Sequence, residues 1–146
     1  MPAISLVTLA VADMARARAF YEALGLRAAP ESNDEVVFLD GGGVVLSLYG
    51  RDALAEDTGL PDGRPGGITL AFNVKTPEEV PARLAVAEAA GARILKGPRT
   101  MPWGGVTAYF ADPDGHPWEI TWVDFALTED GRILLDMGPA PEPPTA

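Results

Sequence analysis

The sequence predicts an α+β domain of two βαβββ modules that share one curved-sheet cup. Three observations lead there. Apolar, strand-like segments flank one amphipathic helix, and the same order of elements then occurs a second time. Punctuation recurs at matching places: Val11 with Val74, Gly25 with Gly91, Asp40 with Asp112, Gly43 with Gly115. The length of 146 residues is that of one domain. Such a chain buries about two-thirds of its unfolded surface and holds a core without staples.

The first module spans about residues 3–50. Ile4 to Val11 is an apolar run and reads as a strand. Asp13 follows as an N-cap, and Ala17, Phe20, Tyr21 and Leu24 fall on one helical face, with Gly25 as the residue that ends the helix. Leu26 to Ala29 is a weak strand. Val36 to Leu39 and Val44 to Tyr49 are stronger ones, joined by the turn Gly41-Gly42-Gly43. Residues 51–66 read as the linker.

The second module spans about residues 67–124. Ile68 to Val74 is its first strand. Thr76-Pro77-Glu78-Glu79 has the form of a capping box, with Thr76 as N-cap. Val80, Leu84, Ala87 and Ala90 give the helix face, and Gly91 ends it. Pro81 conflicts locally, because it removes a backbone donor. Ala92 to Leu95, Val106 to Ala111 and Pro117 to Val123 complete the strands, the last two joined at Asp112-Pro113-Asp114-Gly115. Residues 125–146 are a C-terminal extension. Phe125, Leu127, Ile133, Leu134, Leu135 and Met137 make it apolar enough to dock, and the last stretch, Gly138 to Ala146, reads as disordered.

Composition narrows the function. With 21 acidic against 11 basic residues the net charge is −10, which makes nucleic acid and anionic membranes poor partners. There is no cysteine, which suits a cytoplasmic protein and removes disulfide and thiolate chemistry. His116 is the sole histidine, so no site in one chain can use two His ligands. No apolar run is long enough for a membrane span, and the N-terminus lacks the basic start of a signal peptide.

The stretches VTLAVADMARARAFYEALGL (Val7 to Leu26) and YFADPDGHPWEI (Tyr109 to Ile120) resemble the vicinal oxygen chelate superfamily, which includes glyoxalase I, extradiol dioxygenases and bleomycin-resistance proteins. The resemblance covers residues 3 to 124. It implies the paired βαβββ fold and, in the metal enzymes, a ligand from the first and last strand of each module. Carried over by the internal repeat, those positions are Leu6, Ser47, Thr69 and Glu119. Only Glu119 is a good ligand, so no metal and no cofactor is expected.

Strand alternation from Glu119 puts Pro117, Thr121 and Val123 on the cup face and sends Trp118, Ile120 and Trp122 under the helices. Ser47 shares its face with Val45 and Tyr49, and Tyr109 with Thr107. His116, three residues from Glu119, should point away and sit at the rim. Trp103, between Pro102 and Gly104-Gly105, either caps the cup mouth or plugs the core or a dimer contact. Ser47, Tyr49, Thr69, Trp103, Thr107, Tyr109, Glu119 and Thr121 are therefore the candidate binding residues. Glu119 and Tyr109 would be the catalytic pair if the chain is an enzyme. Against that reading, Glu119 only hydrogen-bonds across the sheet and Tyr109 is a core tyrosine.

Two functions remain. One is a metal-free small-molecule-binding protein that sequesters an aromatic or amphipathic compound, a cationic one included. The other is a lyase, isomerase or dioxygenase-like enzyme that uses Glu119 as acid or base or as a remnant metal ligand. A homodimer is the expected assembly.

Overall fold

The computed structural model describes residues 4, 6–61, 65–124, 128, 129, 131 and 132. The order is β1 (Leu6–Val11), α1 (Met14–Ala23), β2 (Val36–Asp40), β3 (Val45–Gly50), α2 (Arg51–Thr58), β4 (Leu70–Val74), α3 (Glu79–Ala89), β5 (Arg93–Thr100), β6 (Val106–Ala111) and β7 (Pro117–Trp122). Two sheets form, ordered β1-β3-β2 and β4-β7-β6-β5. In each, the first strand runs parallel to the last, and the hairpin strands are antiparallel. This is the predicted pair of βαβββ modules.

The repeat extends to the ladder. Thr8 pairs with Ser47 in the first sheet, and Ala71 with Glu119 in the second, at the positions the repeat equates. Gly25 and Gly91 both hold positive φ, 101° and 112°, just past their helices, where an L side chain would be strained. The hairpins differ by one residue, because Asp40 pairs with Val45 whereas Ala111 pairs with Pro117.

Several elements depart from the expectation, among them β4, which starts at Leu70 rather than Ile68, and β5, which runs to Thr100 rather than Leu95. Leu26 to Ala29 is reduced to one bridge, Ala28 to Leu39. β1 starts at Leu6, and Ile4 ahead of it is 81% exposed. The linker contains α2, a helix with no buried residue that ends at Gly59. α3 begins at Glu79 rather than after Thr76. Half of the capping box survives: Glu79 Oε2 accepts from Thr76 N at 2.9 Å and from Lys75 N at 2.8 Å. This late start removes the conflict at Pro81, which now lies in the first turn, where backbone donors have no intrahelical acceptor. The expectations for Phe125, Leu127, residues 133–137 and the tail lie outside the described residues.

The core is one cluster built from both modules. Leu9, Val11, Leu46, Leu48, Val37 and Leu39 pack with Ala17, Phe20 and Tyr21 of α1, and Ala108, Phe110, Trp118 and Ile120 pack with Val80, Leu84 and Ala87 of α3. The modules are tied across that core. Phe20 meets Phe110 at 6.3 Å, and Tyr21 meets Trp118 at 5.8 Å between ring centroids. The Tyr21 hydroxyl donates to Asp112 Oδ2 at 2.5 Å and accepts from Trp118 Nε1 at 3.0 Å. Asp112 Oδ1 accepts from the backbone N–H of Asp114 and His116. The buried carboxylate therefore uses both oxygens, as a buried charge must.

Burial first, and then the Asp112 charge and hydrogen bond, hold the Tyr21 phenol well above its ordinary pKa of 10.0. The folded state therefore keeps a proton that the unfolded chain loses near pH 10. This stabilisation is complete below pH 10 and declines as the pH rises above it. Tyr21→Phe should cost about 1–3 kcal/mol at neutral pH in urea denaturation. The gap between wild type and variant should narrow above pH 10; parallel stability curves would contradict the assignment.

Candidate functional site

Each sheet has one face under α1 or α3 and one averted from that helix. Alternation sorts the strands cleanly. Val7, Leu9 and Val11 of β1, Leu46 and Leu48 of β3, and Trp118 and Ile120 of β7 join the core. The averted face of the second sheet carries Glu119 and Thr121 from β7, Thr107 and Tyr109 from β6, and Ala71 and Asn73 from β4.

Register places these side chains in two cross-strand rows. One runs Ala71, Glu119, Tyr109, Lys96, and the other Asn73, Thr121, Thr107, Arg99. Four predicted residues, Thr107, Tyr109, Glu119 and Thr121, are thus brought together. Directly paired residues on facing strands are close enough to interact. Burial and the Glu119 charge raise the Tyr109 phenol above its ordinary pKa, with Arg99 opposing and a hydrogen bond to Glu119 adding a little. In the second row, Thr107 and Thr121 are buried, and Thr107 Oγ1 and Asn73 Oδ1 have no hydrogen-bond partner among the described residues. Two unpartnered polar atoms flanking Thr121 are costly, at about 1–3 kcal/mol each, unless water or a ligand meets them.

The other predicted residues lie apart. Ser47 and Tyr49 are on the averted face of the first sheet, Ser47 buried beside Thr8 and Phe38 in register. The Tyr49 hydroxyl donates to Asp57 Oδ2 of α2 at 3.0 Å, so the linker helix already engages it. Thr69 precedes β4 and is exposed. Trp103 is 56% exposed, which settles that it does not plug the core of the chain. Its ring folds over Gly105, where a Cβ would collide with it and lie 2.8 Å from the Trp122 carbonyl oxygen. His116 serves structure: its Nε2 lies 2.7 Å from the Ala10 carbonyl, to which it donates. Asn73 is the residue the sequence reading missed. The same two-residue period run along β4 from Thr69 would have found it.

The metal that the resemblance implies finds a poor donor set. Leu6 offers hydrocarbon, Ser47 and Thr69 offer neutral hydroxyls, and Glu119 alone offers a carboxylate. Among the described residues no group of three or more His, Cys, Asp or Glu could hold an ion. Such a set does not fit tight binding of a divalent transition metal.

With this geometry in hand, comparison with known proteins is informative. Residues 3–120 match the family model of the Glyoxalase/Bleomycin resistance protein/Dioxygenase superfamily. A glyoxalase-related enzyme from Fulvimarina pelagi is 33% identical, with a TM-score of 0.86 over 92% of this chain and 99% of its own. A glyoxalase/bleomycin resistance protein/dioxygenase family enzyme from Burkholderia phytofirmans PsJN is 26% identical, with a TM-score of 0.76 over 82% of this chain and 98% of its own. A lactoylglutathione lyase from Agrobacterium tumefaciens, 23% identical with a TM-score of 0.64 over 82% and 92%, shares the fold. A comparison with curated proteins found no match.

Gly105→Ala should drive the Trp103 ring off its seat and shift the tryptophan emission, while Trp103→Ala should change the melting temperature little because the ring is more exposed than buried. A collapse of folding in Trp103→Ala would give that ring a structural role.

Proposed function

The chain belongs to the Glyoxalase/Bleomycin resistance protein/Dioxygenase superfamily, and from that premise we propose that it is a metal-independent binder of a small aromatic or amphipathic molecule. The proposed site is the averted face of the second sheet. One observation carries the reading: of the four positions where the superfamily's metal enzymes draw ligands, only Glu119 holds a metal-binding group. What remains there is a recognition surface. Glu119 accepts from an ammonium or hydroxyl group, and Tyr109 beside it offers a ring face and a phenol. Asn73, Thr121 and Thr107 add hydrogen-bonding groups, two of them without partners among the described residues. Trp103 supplies exposed apolar area for a planar body. Ser47, Tyr49 and Thr69 take part in this reading only where the first sheet's averted face also meets the ligand, as in a homodimer, the assembly we propose. A cytoplasmic location accords with the cysteine-free composition, and no described helix is long and apolar enough to cross a membrane.

A second reading is favoured by the Glu119–Tyr109 pair. A carboxylate and a phenol held on facing strands could exchange a proton with a bound substrate, Glu119 as base and Tyr109 as acid. The two readings share a site and differ in turnover.

Native mass spectrometry of protein purified without chelators should show a metal-free dimer. Stoichiometric metal would overturn the proposal. In fluorescence titrations with a panel of cationic aromatic compounds, Glu119→Gln should weaken binding about tenfold through loss of the charge, and EDTA should leave it unchanged. Conversion of a bound compound, abolished in Glu119→Gln, would establish the acid–base reading instead.

A further inference from the structure

A cavity of about 450 Å³ lies between the end of α1 and the flank of α3. Phe72, Val74 and Phe110 help line it, and these belong to the face of the second sheet opposite Glu119 and Tyr109. Of its lining only Asn73, between Phe72 and Val74 on β4, also belongs to the site proposed above. We propose that this cavity binds a small amphipathic anion, a carboxylate carried on an aryl or alkyl body.

Size supports a ligand, and the lining is mixed, polar groups beside an apolar wall. Pockets for small molecules are typically about 300–1,000 Å³, apolar, with a few polar groups. Here Leu24, Leu26, Phe72, Val74 and Phe110 make an apolar wall, and Val86 on α3 remains 42% exposed at the rim. A solvent-facing apolar side chain beside an apolar recess gives the body of an amphiphile a place to bury.

The charged groups of the lining balance in number, so the sign is set by which of them are already engaged. They are Lys75, Glu79, Arg83 and Glu129. One oxygen of Glu79 is already committed, accepting the N–H groups of Lys75 and Thr76 that precede α3. These two bonds, with Arg83 and Lys75 contributing, hold the Glu79 carboxyl below its ordinary range. Neither Arg83 nor Lys75 forms an ion pair within 4.0 Å among the described residues. With Glu79 bound to backbone and neither cation in an ion pair, the Arg83 guanidinium is available for a bidentate carboxylate. Against a chain of net charge −10 this is a local site for an anion.

The test is a nuclear magnetic resonance titration of the full chain with 4-phenylbutyrate, with 4-phenylbutylamine as the charge control. Saturable shifts are expected at Leu24 to Leu26, Lys75 and the α3 flank, with the acid binding and the amine not. Arg83→Glu should weaken the acid at least tenfold, and Val86→Trp should block the recess. Both side chains are exposed, so the melting temperature should be unchanged in each. Glu119→Gln should leave the titration as it is, which separates this site from the averted face. Equal binding of acid and amine, insensitivity to Arg83→Glu, shifts centred on Tyr109 and Glu119, or no saturation at millimolar probe would each overturn the proposal.

Discussion

The constraint on which the structure depends is the buried Asp112 carboxylate. It sits at the turn between β6 and β7, and each of its oxygens is committed. One shapes the turn through the N–H groups of Asp114 and His116, and the other accepts a hydrogen bond from the Tyr21 hydroxyl of the opposite module. Trp118 completes the unit by donating to the same hydroxyl. A charge so enclosed is tolerated only with all partners present. The turn, the placement of α1 and the start of β7 therefore form together. Glu119 follows Trp118 directly, so the site on the averted face inherits its position from the network on the other.

Most of the fold was legible because its signals are local and occur twice. The period of two along β1, β3, β6 and β7 and the glycine after each helix are independent statements of one plan, and agreement among them is what specifies a fold. The misses have physical causes. α2 has no buried residue, so it carries no stripe to detect. β5 runs on through Gly97 and Pro98 to Thr100 because it is an exposed edge with register shifts, where the ladder does not demand a donor from every residue. α3 starts later than its capping box implies, because Glu79 reaches back to the chain without Thr76 capping the helix.

The site was legible in part for the same reason. Alternation along two adjacent strands put Thr107, Tyr109, Glu119 and Thr121 on one face, and register makes them neighbours. Ser47 and Tyr49 obey the same alternation on the other sheet, so sequence alone could not say how far apart they would lie. The recess between α1 and α3 left no motif at all. Its walls come from separate segments, and only the packing of the helices brings Leu24, Lys75 and Arg83 to one place.

The turn that holds Asp112 also reaches back to the first strand. Asp114 Oδ1 takes the N–H of Ala12 and the His116 ring binds the carbonyl of Ala10, both on the side of β1 that no strand covers. These contacts blunt a sheet edge that would otherwise template pairing with another chain. Their order along the polypeptide matters during synthesis. The first module leaves the ribosome before its guard exists, so its sheet edge stays open until the β6–β7 turn has been made. The interval between the two is when the nascent chain is most exposed to mispairing with its neighbours.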